Sequence, residues 1–468
     1  MADLEGLLER YRAMAPEILK IARSGKRILV VTHIDADGLC SGSTVFASLM
    51  RKDANVTLRT VPDLDHRTIT ELGEQKFEFY IFTDLGSTLV RELEMAFKGR
   101  FLVLDHHLIS SEDSENPAVV NAWFYGFDGG KEASSSAMAY FLASSLDPVN
   151  DDLSHLVVVG ALADRQDAGP GRSLIGLNRS AAEEAQARGL LSVTKDLMFT
   201  GKETRPIHEA IALTSSPFLK GLTGSKDAVL ATLHQSGLVL KDGATWRTIS
   251  SLSADEKMKL TEIIADALGP VDGATGAIAS LVGEAYTLEF EDPFTPLRDA
   301  REFGTLLNAC GRMGAAGTGI SVCLGDRMEA LKTAMKTLSD YRSGINKALQ
   351  GLTSEPSRVE QHGSLVFVRG EGIVDERLLG PVISILASSP EFKDKLVVAS
   401  TESRDSDLKI SSRVGDFFAG EVNLGLIMRE AAEEVGGVGG GHAMAAGAKI
   451  PSSKLESFSR GVKERVRA

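Results

Sequence analysis

The sequence is poor in long apolar runs, cysteine, aromatic residues and positive charge, and each shortage excludes something. No apolar run in the 468 residues reaches the roughly 18 positions a membrane-spanning helix needs, so no membrane partner is expected. Cys40, Cys310 and Cys323 are few, odd in number and far apart. They make neither a disulfide framework nor a zinc knuckle, which fits a reducing, cytoplasmic setting. Lysine and arginine total 51 against 64 aspartate and glutamate, a net charge of −13. That balance argues against a protein that coats nucleic acid nonspecifically, but it leaves room for a local basic groove. With aromatics at only 6%, no base-stacking residue can be named. The opening stretch MADLEGLLERYRAMAPEILKIA carries charges throughout and reads as an amphipathic helix, not a secretory leader.

What is present is the composition of an ordinary globular chain, 43% hydrophobic and 25% charged, long enough for about three domains. Three short apolar runs, Arg27–Val31, Phe79–Thr83 and Arg100–Leu104, open it. Such runs predict strands buried on both faces, hence a parallel sheet, and helical segments between them give a βαβ rhythm. A fourth apolar segment, Leu156–Leu162, precedes another aspartate. The fold class is therefore α/β, with a parallel-sheet first domain over residues 1–215.

Residues 216–298 read as an insertion in which Ser253–Leu268 is a helix opened by a Ser-x-x-Glu capping signal. Residues 299–352 read as a helical connector, Arg301–Arg312 and then a long helix over Arg327–Leu352. Residues 353–468 form a second, smaller α/β domain. Its strands are predicted in SLVFV, KLVVAS and LKISSR, with an amphipathic helix at Asn423–Glu434 and the glycine run Gly436–Gly447 after it.

Acids and histidines follow the apolar runs directly: His33, Asp35 and Asp37 in VTHIDADG, Asp84 in FTDLG, Asp105, His106 and His107 in LDHH, and Asp164 in GALAD. In an open parallel sheet the carboxyl ends of the strands share one edge, where ligands bind. A lone aspartate at such a place is usually a helix cap or turn residue. Four clusters in succession predict one crevice. Five aspartates gathered there need cations, because unpaired burial costs several kcal/mol. Oxygen ligands mixed with imidazole suit manganese, with magnesium as the alternative. The ligand count fits two divalent ions sharing Asp84: His33, Asp35 and Asp84 on one, and Asp37, Asp84, His106 and Asp164 on the other. Two such ions about 3.5–4 Å apart can activate a bridging water and stabilise a phosphoryl oxygen.

The five glycines among Gly436–Gly441 (Gly440 and Gly441 included), followed by His442, read as a phosphate contact, because glycine lets backbone amides approach an anion.

HIDADG, TDLG, LDHH and GALAD resemble the four signature motifs of the DHH phosphoesterases. VGGVGGGHAMAAG resembles the glycine-rich motif of their associated C-terminal domain, and LLNACGRMG (Leu306–Gly314) resembles a RecJ motif. The resemblance spans nearly the whole chain and is strongest to the archaeal RecJ-like nucleases that associate with the GINS replication complex. It implies a manganese-dependent exonuclease on single-stranded DNA or RNA, working in replication or repair. Asp84, Asp105 and His107 are then the expected catalytic residues, with His107 contacting a non-bridging phosphate oxygen. Arg312, Arg413, Gly440, Gly441 and His442 would hold the substrate backbone. Where bacterial RecJ carries an aspartate this chain has His33, as in the archaeal pattern. Residues 216–298 are the expected docking region for GINS or another replication protein. Two other readings compete: a phosphodiesterase on short oligoribonucleotides or cyclic dinucleotides, and a replication scaffold with residual nuclease activity.

Overall fold

The structure is a computed structural model that describes residues 2–467, apart from 111, 113–115, 215–216, 269–273, 390, 404–406, 416 and 442. The chain divides into two compact units, Met1–Ile211 with Leu230–Leu338, and Ala212–Val229 with Ser339–Ala468. No helix among the described residues is long and apolar enough to cross a membrane.

The first unit is built on a five-stranded sheet of β1 (Ile28–His33), β2 (Val56–Val61), β3 (Phe79–Thr83), β4 (Phe101–Asp105) and β5 (Val119–Asn121). The strands pair in parallel in the order β2-β1-β3-β4-β5. Successive residues of a strand feed opposite faces. Ile28 and Val30 join a core with α1 (Leu4–Arg23), α2 (Ala36–Met50) and α5 (Ser135–Leu146). Leu29 and Val31 join another with Phe82, Val103 and residues of α3 (His66–Glu74) and α4 (Val90–Phe97). Helices on both faces explain why the strands read as unbroken apolar runs. Two strands carried no such signal: β2 is a half-exposed edge strand, and β5 has three residues.

The fourth apolar segment corrects the expectation of a strand end before Asp164. It is a helix, α6 (Ser154–Ala163), and Asp164 is its C-cap. Leu156, Val157, Val158, Val159 and Ala161 are all buried, so α6 is apolar on every side and shows no helical period in sequence.

The insertion leaves from β6 (Leu191–Leu197) and returns through Val282–Leu288, which pairs antiparallel with it from Leu191↔Leu288 to Leu197↔Val282. The returning strand lies inside the expected 216–298 segment and pairs with β6 outside it. Its helix Ala254–Leu268 begins as the spacing implies: Ser253 N donates to Glu256, and Glu256 N donates to Ser253 Oγ. The connector contains Ala300–Arg312 and the long helix Glu329–Ser354.

The second unit holds a six-stranded mixed sheet in the order Val359–His362, Leu365–Arg369, Leu396–Glu402, Asp407–Val414, Ala445–Pro451, Val438–Gly441. The glycine run is its edge strand, and packing accounts for several of its glycines. A Cβ on Gly437 would sit 2.4 Å from Lys449 O, and one on Gly439 2.3 Å from Met428 O. Gly441 has φ +135°. Gly440 alone within this strand faces open space.

Candidate metal centre

The order of the sheet reverses between β1 and β3, and the side chains of interest converge where those two strands end. His33 is the last residue of β1 and Asp35 the N-cap of α2, accepting from Gly38 N at 2.9 Å. This tight entry needs glycine at 38, where a Cβ would lie 2.5 Å from His33 O. Asp37, in the first turn of α2, is fully buried. Its two oxygens accept from Ser135 N (2.7 Å) and Ser136 N (3.0 Å) at the start of α5, where helix amides favour an anion. Gly160 of α6 leaves room for it, since a Cβ there would lie 2.4 Å from Asp37 Oδ1.

Asp84 follows β3 in the left-handed region, φ +61°, a conformation aspartate tolerates better than most residues. Its carboxylate faces two ways. Oδ2 lies 3.5 Å from His33 Nδ1, which is itself 2.8 Å from Asp35 Oδ2. Oδ1 lies 3.3 Å from His106 Nε2, with Asp164 Oδ2 at 3.7 Å and Asp37 Oδ2 at 4.0 Å from the same nitrogen. His106 Nδ1 is 2.5 Å from Gly129 O, which can only accept, so Nδ1 carries a proton and orients Nε2 toward the acids. Gln166 donates to the same carbonyl (3.0 Å) and is held in turn by Asn178 (2.6 Å).

Asp105 plays a different part. It accepts from Ser87 N (3.1 Å), His106 N (2.8 Å) and His107 N (3.3 Å), and lies 2.7 Å from His107 Nδ1. With its lone pairs so used, it orients both histidines.

Buried Asp84 Oδ1 and His106 Nε2 have no hydrogen-bond partner among the described residues, although they face one another. Such orphaned atoms are rare in proteins. Without cations, protons must hold the cluster together. Burial and then Asp84 push Asp37 up to about 6. Burial, then Asp37 and Asp35, raise Asp164 well above the carboxylate range. Burial disfavours charge on His106, but Asp84, Asp37 and Asp164 outweigh it and raise the imidazole. Burial likewise opposes charge on His33, and Asp35 and Asp84 outweigh it. Cations are the chemical alternative to these protons. The donor set of carboxylate oxygens and imidazole nitrogens, within 4.8 Å of one another in the groups His33–Asp35–Asp84 and Asp37–His106–Asp164, fits them.

The structure thus brings His33, Asp35, Asp37, Asp84, Asp105, His106, His107 and Asp164 into one place. Arg312, the last residue of its helix, is half-buried, and its side chain makes no ion pair or hydrogen bond among the described residues. Arg413, in the second unit, donates to Ser384 Oγ (3.0 Å) and Ser412 O (2.8 Å). Gly440 and Gly441 are in that unit too, and His442 lies outside the described residues.

Sequence reading missed the supports. Asn308 Oδ1 accepts from Ala36 N at 3.0 Å, and a Cβ on Gly311 would lie 1.7 Å from Ile34 O. The Leu-Asn-Ala-x-Gly-Arg segment therefore clamps the loop that carries His33 and Asp35. The motif was visible, but its packing role was not.

Three family models match the chain: the DHH family, N-terminal domain, over residues 27–161, the DHH-CID domain over 199–272 and the DHHA1 domain over 364–468. An uncharacterized protein of Methanocaldococcus jannaschii is 28% identical over 446 residues, covering 93% of this chain and 92% of that relative. Among solved structures, RecJ of Thermus thermophilus in complex with Mn2+ is similar at TM-score 0.59 and 17% identity. That match covers 98% of this chain and 55% of RecJ, so the chain spans about half the length of that protein. CDC45 from Entamoeba histolytica is similar at TM-score 0.68 and 10% identity, covering 98% and 99% of the two chains. At these identities the structural likenesses establish the fold.

Proposed function

Starting from a chain that is a DHH-family, RecJ-like protein, we propose that it is a metal-dependent hydrolase of phosphodiester bonds, an exonuclease on single-stranded DNA or RNA. The observation that carries this reading is the two-way carboxylate of Asp84. Each of its oxygens faces a separate donor group, and Oδ1 is buried opposite His106 Nε2 without a hydrogen bond. His33, Asp35 and Asp84 would hold one divalent ion, and Asp37, Asp84, His106 and Asp164 a second, manganese ahead of magnesium. When bound, such a pair lowers the pKa of a water and neutralises charge on phosphoryl oxygens.

The chain's own groups do the rest. Asp105 orients His107 through Nδ1, and the ring is part-exposed. Burial opposes charge on His107, but Asp105 raises it, so the ring can donate from Nε2 to a non-bridging oxygen as charge develops there. Arg312, Arg413, Gly440, Gly441 and His442 are the proposed contacts to the strand's backbone.

The insertion is the proposed docking region for a replication partner such as GINS. A deletion that keeps the β6 ladder with Val282–Leu288 should spare metal-dependent hydrolysis and weaken partner binding.

The decisive experiment is hydrolysis of end-labelled DNA and RNA single strands of graded length, with and without manganese. Stepwise shortening of long strands supports the exonuclease. Activity confined to the shortest oligomers moves the reading to a small-substrate phosphodiesterase, and strand binding without cleavage moves it to a scaffold.

A further inference from the structure

The segment leaving α6 carries Asp164, Arg165 and Gln166 in succession. Both outer residues are committed to the centre: Asp164 lies 3.7 Å from His106 Nε2, and Gln166, buried, donates to Gly129 O beside the His106 ring. Arg165 sits between them with its backbone in the left-handed region, φ +59°. Arg165 N donates to Leu162 O at 3.2 Å and Gln166 N to Ala161 O at 2.9 Å, which closes the helix in the way that glycine usually serves. A Cβ is disfavoured in that conformation, so glycine would suit the backbone better.

The arginine side chain gives nothing visible to the fold in return. It is exposed and makes no hydrogen bond or ion pair among the described residues, although Arg165 follows Asp164 directly in the chain. Its neighbours differ. Arg172 and Arg301 are both taken up by Asp167, at 2.9 and 2.8 Å.

We propose that Arg165 is a substrate contact, binding the non-bridging oxygens of the phosphodiester at the rim of the centre. The proposal rests on the phosphoesterase reading. A cluster of carboxylates repels an incoming phosphate, and an unneutralised guanidinium one residue from Asp164 offsets that repulsion. Its planar fork matches a phosphate bidentately, and its backbone is held between Asp164 and Gln166.

The test compares the full chain with its Arg165→Gly and Arg165→Lys variants. Arg165→Gly should melt at or above the parent temperature and bind manganese alone with unchanged affinity by calorimetry. Its kcat/KM on a labelled single strand should fall by about a hundredfold, the usual scale for removing one charge-stabilising donor. Arg165→Lys should recover part of that loss. Strand binding measured by fluorescence anisotropy, with calcium in place of manganese, should weaken in Arg165→Gly. Parental kcat/KM in Arg165→Gly would overturn the proposal and leave the enzymatic reading standing. If the parent hydrolyses nothing, the enzymatic reading fails, and equal strand affinity of parent and Arg165→Gly overturns the contact independently.

Discussion

Asp84→Asn tests the centre most directly. Asparagine keeps the size of the side chain and is, like aspartate, among the residues that enter the left-handed region at φ +61° most readily. The metal-free fold should therefore survive. Charges of both signs face Asp84: His106 and His33 stand at 3.3 and 3.5 Å, and a carboxylate oxygen of Asp35 is within 4.8 Å, so the amide loses attraction and repulsion together. The consequence appears with metal. At a hundred times its Kd, manganese stabilises the parent by about 2.7 kcal/mol. If the amide weakens binding about a hundredfold, the same concentration stabilises the variant by only about 0.4 kcal/mol. The difference is about 2.3 kcal/mol, a manganese-induced rise in Tm smaller by about 3 °C for a unit of this size. Thermal melts with and without manganese, run beside hydrolysis of a labelled strand, read both effects. A variant that keeps the full manganese shift and cleaves within about threefold of the parent would refute a shared role for Asp84.

Other substitutions probe the supports. Gly311→Ala forces a Cβ to within 1.7 Å of Ile34 O, so it should lower stability by about 1–3 kcal/mol and slow hydrolysis by shifting the His33–Asp35 loop. An unchanged urea midpoint with full activity would count against that clamp. Lys202, buried, pairs with Asp196 at 3.2 Å and Asp299 at 3.4 Å, and Asp299 caps the helix that clamps the loop. Lys202→Met leaves Asp299 without its cation, while Asp196 keeps Lys257 at 2.8 Å, and should cost about 3–5 kcal/mol in denaturant melts. His155 packs its ring against Phe290 at 5.0 Å, and burial holds it down to about 4. A lowered histidine contributes stability that is present above its ordinary value of 6.5 and is lost as pH falls from there through about 4. The decline of Tm over that window should be shallower in His155→Gln; identical pH profiles would show that His155 does not carry it.

How much was legible depended on where the signal lay. β1, β3 and β4 were readable because strands buried on both faces must be apolar at every position, and the acids beyond them stood out by contrast. β2 was not, because an edge strand buries only some of its residues, and its VTLRTV carries polar side chains. The Asp164 motif was recognised while the element before it was misjudged, because a helix buried on all sides has no polar stripe to mark its period. Glycines at 437 and 439 suggested anion binding, whereas close backbone approach requires them.

By itself, then, the order of residues determined the chemical inventory: a parallel α/β sheet whose strand ends supply aspartate and histidine, and a second domain with a glycine-rich edge. Those properties are local, set by side-chain type and period. Only tertiary structure decided which way each donor points. The two faces of Asp84 depend on a backbone angle, the free nitrogen of His106 depends on Gly129 twenty-three residues away, and the His33 loop depends on Asn308 and Gly311. Contacts between residues so distant arise when separate elements pack, and no local pattern encodes them.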